Sequence, residues 1–196
     1  MKELYWEKFN MIYFTSDLHI GHYNILRFDK RPFKTVEEND MELIKRWNNK
    51  VKPEDTVYVL GDMIWKHRSA EAIEILNRLN GNIILIQGNH DQWVKNTGVK
   101  KKLTAIKDYD DICVTLKDGT PKRCILSHYP IPFYNGHYYG AIMLYGHVHI
   151  TEEYQHVQKI EKWLNENNCP VQMYNVGCML WDYEPVTLDE ILAKHN

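Results

Sequence analysis

The chain of 196 residues is short of paired cysteines: Cys113, Cys124, Cys169 and Cys178 are scattered, with no C-x-x-C among them. That spacing gives neither a disulfide framework nor a thiolate metal site. Apolar runs of the roughly 20 residues needed to span a bilayer are missing, which excludes membrane insertion by such a helix. The opening segment MKELYWEKFN lacks the apolar core of a signal peptide. A reduced cytoplasmic setting is therefore expected. An excess of one charge is missing too: 24 Lys and Arg stand against 26 Asp and Glu, a formal net charge of -2. No broad basic footprint for coating nucleic acid follows from that balance, so any such contact has to be local. There is no internal repeat, linker or low-complexity tract.

Apolar residues are plentiful. At 44% hydrophobic content the chain fits a single domain over 1–196, with a core that needs no disulfide or structural metal. Residues 1–10 precede the first strand-like run and read as an outer extension or as a clip for a partner. MIYFTSD (Met11 to Asp17), TVYVLGD (Thr56 to Asp62) and NIILIQGNH (Asn82 to His90) have the β-branched and aromatic content of buried strands. Between them, Val36 to Val51 places Met41, Ile44 and Trp47 at helical spacing. Ser69 to Gly81 does so with Ile73, Leu76 and Leu79, with Ser69 as N-cap. This alternation predicts a sheet covered by helices. The second half reads as a run of antiparallel strands: a hairpin with its turn at Lys117 to Pro121, then AIMLYGHVH and VQMYNVGCM. A helix over Thr151 to Asn168 separates the last two, and a short helix follows from Leu188.

Each of five apolar runs ends in residues that bind metals: Asp17 and His19, Asp62, Asn89 and His90, His128, His147 and His149. Ligands collect at the carboxyl ends of strands in sheets covered by helices, because loops converge there on a rigid support. In extended backbone, residues two apart project to one side, so Asp17 with His19, and His147 with His149, are each expected to aim at one cavity. Gly61, Gly88 and Gly146 directly precede candidate ligands and allow close backbone approach. A lone histidine at a strand end is usually structural, but eight such residues at five strand ends are not explained that way. An oxygen and nitrogen donor set without thiolate suits Mn, Fe or Zn in an open site. Seven candidate ligands exceed the need of one ion and suit a two-metal centre with ions about 3.5–4 Å apart.

These blocks, DLH at Asp17 to His19, GD at Gly61 to Asp62, GNHD at Gly88 to Asp91, the single His128, and GHVH at Gly146 to His149, occur in the order of the calcineurin-like metallophosphoesterase superfamily. With DLHIGHYNILRFDKRPF, SHYP and NVGCMLWDYEPVTLDEI around them, the chain resembles a small bacterial and phage subgroup of that superfamily from Met11 onward. The resemblance implies an α+β fold of four α/β/β/α layers, two mixed sheets packed as a sandwich between helices. It assigns Asp17, His19 and His149 to one divalent metal, Asn89, His128 and His147 to a second, and Asp62 to both. His90 is then the catalytic histidine beside the scissile phosphate. The implied chemistry is attack on phosphorus by a hydroxide bridging the ions, with His90 protonating or hydrogen-bonding the leaving alkoxide.

The sequence departs from the protein phosphatase branch, whose second block reads GDxxDRG, because Gly61 is followed here by DMIWKH. With its arginine and second aspartate missing, a small or nucleotide-like phosphoester, a diester above all, is the expected substrate, and the partner of His90 is open. His22, Arg27 and Arg31 are candidate substrate contacts, the arginines because guanidinium forks fit phosphate oxygens. Their bland alternatives are a loop histidine and solvated charges. FYNGHYYG (Phe133 to Gly140) reads either as a loop over the site with tyrosines for a base or as ordinary core-packing aromatics. His67, His137, His156 and His195 read as exposed and uninvolved. Two other function classes stand beside the phosphoesterase: a metal-dependent nuclease, which calls for a basic groove, and a non-catalytic interaction module, which is expected to have lost ligands.

Overall fold

A computed structural model of the protein describes residues 10–65, 69–95 and 97–195, without the side chain of Ser69. The expected terminal extension, the Ser69 cap and His67 thus lie outside the described residues. Among the described residues, eight strands form two four-stranded sheets. β1 (Ile12–Thr15), β2 (Thr56–Val59), β3 (Asn82–Ile86) and β4 (Ala105–Lys107) make the first, in that order. β5 (Tyr109–Thr115), β6 (Pro121–Ser127), β7 (Ile142–Tyr145) and β8 (Met173–Asn175) make the second.

Pairing in the first sheet is parallel throughout, with Ile12 beside Thr56 and Thr56 beside Asn82. Only the second sheet is mixed: β5 and β6 form the antiparallel hairpin, whereas β6–β7 and β7–β8 are parallel. The expectation of two mixed sheets is corrected in that detail, as is the expectation of antiparallel strands throughout the second half. The reason is connection length. A tight turn permits an antiparallel neighbour, whereas the excursion from His128 to Ala141 and the helix between β7 and β8 are long enough to bring the chain back for parallel pairing.

Alternation along the strands builds the layers. In the first sheet Tyr13, Val57, Val59, Ile83 and Leu85 face α2 (Val36–Lys50) and α3 (Ser69–Asn77), packing with Leu43, Trp47, Ala72 and Leu76. Phe14, Tyr58, Leu60 and Ile86 point the other way and meet Val114, Cys124, Leu126, Ile142 and Leu144 of the second sheet. On that sheet's outer face, Ile125, Met143, Tyr145 and Met173 pack with Leu164 of α5 (Glu152–Glu166). Helix, sheet, sheet and helix are thus stacked as four layers, and most strands are apolar on both faces because both are covered. Three helices remain: α1 (Ile25–Phe28), α4 (Thr97–Lys100) and α6 (Leu188–His195). In α2 the buried positions are Asn39, Leu43, Ile44 and Trp47, while Met41 points outward at 57% exposure. Among the described residues no helix is long and apolar enough to cross a membrane, and all four cysteines are free.

Candidate metal centre

The centre forms where the loops after β1, β2, β3, β6 and β7 meet at the carboxyl ends of both sheets. The first two loops are laced together by backbone bonds: Asp17 N–H donates to Gly61 O at 3.0 Å and His19 N–H to Asp62 O at 2.9 Å. The second sheet joins them through Asp17, whose carboxylate oxygens accept from His147 N–H at 3.1 and 3.0 Å.

The residues two apart do converge, but extended backbone is not the cause. The strands end at Thr15 and Tyr145. Beyond them Asp17, His19, Asp62, His147 and His149 all have left-handed backbone, with φ of 55, 48, 53, 71 and 46°. Such conformations cost an ordinary residue about 1–3 kcal/mol and persist only where the surroundings enforce them. Here the cross-loop bonds do so. Gly61 is needed for a related reason: its φ is +86°, and a Cβ there would run into the His128 ring.

Two clusters of donors result, Asp17 with His19 and His149, and Asp17 with Asp62 and His128. Asp62 Oδ1 accepts from His90 N–H at 2.9 Å. Its Oδ2 lies 3.6 Å from His19 Nε2 and 3.7 Å from His128 Nε2. Both carboxylates therefore reach both sides. Asn89 Oδ1 stands 3.0 Å from His128 Nε2, and the His147 ring lies beside that of His128 at 5.0 Å. Five of the seven expected ligands, Asp17, His19, Asp62, His128 and His149, thus bring donor atoms together, and Asn89 and His147 adjoin them beside His128.

The orientation of the imidazoles tests whether a cation fits. His128 Nδ1–H donates to Leu60 O at 2.8 Å, and His149 Nδ1–H donates to Asp29 Oδ1 at 2.7 Å. Both rings then turn Nε2 inward, as a lone pair in the neutral tautomer that carries its proton on Nδ1. His149 Nε2 faces His19 Nε2 at 3.3 Å and Asp17 Oδ1 at 3.7 Å, while that of His128 faces two oxygens. A proton on His19 Nε2 satisfies the first contact and a cation would satisfy all of them; the nitrogen and oxygen donors gathered here, with no thiolate, fit divalent cations. Without a cation the protonation equilibria of these groups run in both directions. Burial pushes the Asp17 carboxyl above the ordinary carboxylate range despite His149 and His128 nearby. Burial, then His149 and Arg31, holds His19 well below the imidazole range, and burial with His128 lowers His147. For His149 burial acts downward but is outweighed by the Asp29 hydrogen bond and by Asp17.

His90 stands at the open side of the centre, its Nε2 4.0 Å from Asp62 Oδ2 and its side chain 41% exposed. Asp91 does not orient it. The Asp91 carboxylate is buried and accepts from the N–H groups of Asp62, Met63 and Gly88 and from Trp93 Nε1, which clamps the second and third blocks together. His22 lies beside His19 and stacks on Trp65 at 3.8 Å, and Trp65 also touches His90 at 4.5 Å. Arg27 is exposed over the Phe28 ring. Arg31 corrects its expectation as a substrate contact. It is buried, and its guanidinium donates to Asp29 Oδ2, Leu18 O, Asn39 Oδ1 and Asp17 O, which leaves no donor edge for phosphate. In FYNGHYYG Tyr134 is buried and packs in the core, while Phe133, Tyr138 and Tyr139 are exposed. His137 is half-buried with Nδ1 on Pro170 O.

Two kinds of residue escaped the sequence. Asp29 lies inside the DLHIGHYNILRFDKRPF segment, but no strand end or ligand spacing marks it as a partner of His149. Tyr129 follows His128 directly, and its ring packs against His147 at 4.6 Å with its hydroxyl 3.5 Å from Asn89 Oδ1.

Comparison with known proteins agrees with this geometry. The profile of the calcineurin-like phosphoesterase family matches residues 11–176. An uncharacterized protein of Methanocaldococcus jannaschii is 35% identical over 184 residues, 92% of this chain and 89% of the relative. The gene 66 protein of Mycobacterium phage D29 is 29% identical over 161 residues, 70% of this chain and 78% of that protein. A crystal structure of a protein of unknown function from Aquifex aeolicus superposes with a TM-score of 0.62 at 26% identity, covering 95% of this chain and 100% of that one.

Proposed function

The chain belongs to the calcineurin-like phosphoesterase family, whose members are metal-dependent phosphoester hydrolases, and on that premise we propose that it hydrolyses a small or nucleotide-like phosphodiester at a dinuclear centre. The observation that carries the reading is the pair of donor clusters, Asp17 with His19 and His149 and Asp17 with Asp62 and His128, which share the Asp17 carboxylate, while Asp62 Oδ2 lies between His19 and His128. One position is that of Asp17, His19 and His149, the other that of Asn89, His128 and His147, with Asp62 serving both. Divalent cations held by these residues would supply Lewis acidity toward phosphoryl oxygens and would lower the pKa of a water nucleophile.

The protein's own groups do the rest. Asn89 offers Oδ1 on the His128 side, which leaves Nδ2 to donate to a phosphoryl oxygen. His90, exposed at the open side and tied through its N–H to Asp62, is placed to give a proton or hydrogen bond to the leaving alkoxide. Tyr129 on one flank and Trp65 stacked with His22 on the other put flat rings beside both sides of the centre. Planar substituents around the scissile phosphate, as in nucleotides, suit such walls. Arg27 at the rim is a candidate for phosphate contact through its exposed guanidinium.

A local basic feature favours a second reading, a nuclease. Lys95, Lys100 and Lys107, together with Asp108, line a cleft of about 580 Å³ whose lining includes Gln87 but none of the candidate ligands. Lys107 is held by Asp110 at 2.6 Å, which reduces the charge of that cleft. One assay separates the readings. Protein loaded with Mn²⁺ is offered a chromogenic phosphomonoester, a chromogenic phosphodiester, linear and cyclic nucleotides, and a single-stranded oligonucleotide, beside an Asp62→Asn control. Turnover of the diester or nucleotides, lost in the control, is expected. Cleavage of the oligonucleotide alone, falling steeply with salt, favours the nuclease. Turnover of nothing points to an interaction module.

A further inference from the structure

Asp29 and Arg31 lie outside the ligand set yet join the loop of Asp17 to that of His149, and we propose that Asp29, held by Arg31, is a positioning residue that sets the affinity of one metal position, that of Asp17, His19 and His149. The inference rests on the dinuclear reading above.

Asp29 uses its two oxygens in opposite directions. Oδ1 accepts from His149 Nδ1–H at 2.7 Å, while Oδ2 accepts from Arg31 Nε at 3.2 Å and Nη2 at 3.0 Å. Arg31 continues into the loop after β1, donating from Nη2 to Asp17 O at 2.8 Å and from Nη1 to Leu18 O at 2.9 Å. A single buried chain therefore runs from Asp17, below the first sheet's loop, through Arg31 and Asp29, to His149 on the second sheet's loop. The two side chains are 0% and 4% exposed, so water does not loosen the path. Lys30 between them is left-handed at φ 51°, a strained conformation that this pairing holds in place.

A carboxylate on the far nitrogen of a ligating imidazole fixes its tautomer and ring orientation and raises the basicity of the ligating nitrogen. The second position is built otherwise. There the His128 ring is held by the Leu60 carbonyl, which is neutral, and Asn89 is exposed. The two positions are thus supported unequally, and Asp29 belongs to one of them.

A merely structural ion pair would act on the fold and hence on both positions alike, and a thermodynamic cycle tells these apart. Metal-free protein is titrated calorimetrically with Mn²⁺, with circular dichroism confirming the fold. Asp29→Asn should weaken one of two binding events about 10–100-fold and leave the other unchanged. On a His149→Ala background the same change should add no loss, and on a His147→Ala background it should keep its full effect. If Asp29→Asn does not fold, Asp29→Asn with Arg31→Gln removes both buried charges and takes its place in the cycle. Two events of wild-type affinity in the variant, or equal losses on both backgrounds, would overturn the proposal. A wild-type protein that binds only one ion would sink the dinuclear reading, and this inference with it.

Discussion

Backbone strain at this site is concentrated on the residues that carry its chemistry. Among the described residues nine other than glycine have positive φ, and five of them are Asp17, His19, Asp62, His147 and His149. Their turns persist because each loop is bonded to the next, so disturbing one loop should disturb the set. Gly61→Ala is the sharpest case: it forces a strained φ and drives a methyl into the His128 ring. Calorimetry should find metal binding lost or greatly weakened in that variant, and wild-type affinity would show that the loop can relax. His90→Ala should behave in the opposite way, keeping both metals while kcat on a poor leaving group falls about 10²–10⁴-fold. An unchanged kcat would remove His90 from the reaction. Asp17 gives a pH prediction. Burial holds its carboxyl above the ordinary range, so a cation that needs the ionised form must displace a proton, and affinity is lost as pH falls through that raised range. Titration in buffers of different ionisation enthalpy should report proton release that grows toward acid pH. The identities of these residues were legible because donor types stood at predictable strand ends. The conformations were not, because left-handed turns are imposed by bonds to loops distant in sequence. Asp29 was invisible for the same reason, since its partner His149 lies 120 residues away.

At the scale of elements, α2 was read with its bounds nearly as observed, and its start explains why. Thr35 Oγ1 accepts from Glu38 N–H, and Glu38 Oε2 accepts from Lys34 N–H, which satisfies two exposed donors at the helix start. Thr35→Ala should cost about 1 kcal/mol in denaturant unfolding and leave metal affinity untouched. A loss of metal affinity would mean that α2 positions the centre more directly than its packing suggests. β4 went unread: its three residues, all half-buried, make too short an edge strand for alternation to register. The parallel pairing of β6 with β7 was likewise hidden, because pairing direction is set by the path of the chain between strands and not by the composition of either.

For the molecule as a whole, the centre is also a fastening between sheets. Asp17 of the first sheet's loops accepts from His147 of the second's, and the Arg31–Asp29–His149 chain makes the same crossing. Cations bound by ligands from both sheets would favour only the folded state. Stability should therefore rise with metal concentration, by about 2.7 kcal/mol at one hundred times the Kd. A melting temperature independent of Mn²⁺ would contradict that coupling. The helix-covered first sheet was legible from its strands and helices, whereas the four-layer stack followed only from the family resemblance, because sheet-on-sheet packing is not written in the composition of any one strand. The central claim, hydrolysis at a two-ion centre, is tested most directly by following a chromogenic phosphodiester while metal-free protein receives Mn²⁺ by equivalents. The account predicts little turnover up to one ion per chain and a rise that completes at two; full activity at one equivalent, or none at any, would contradict it.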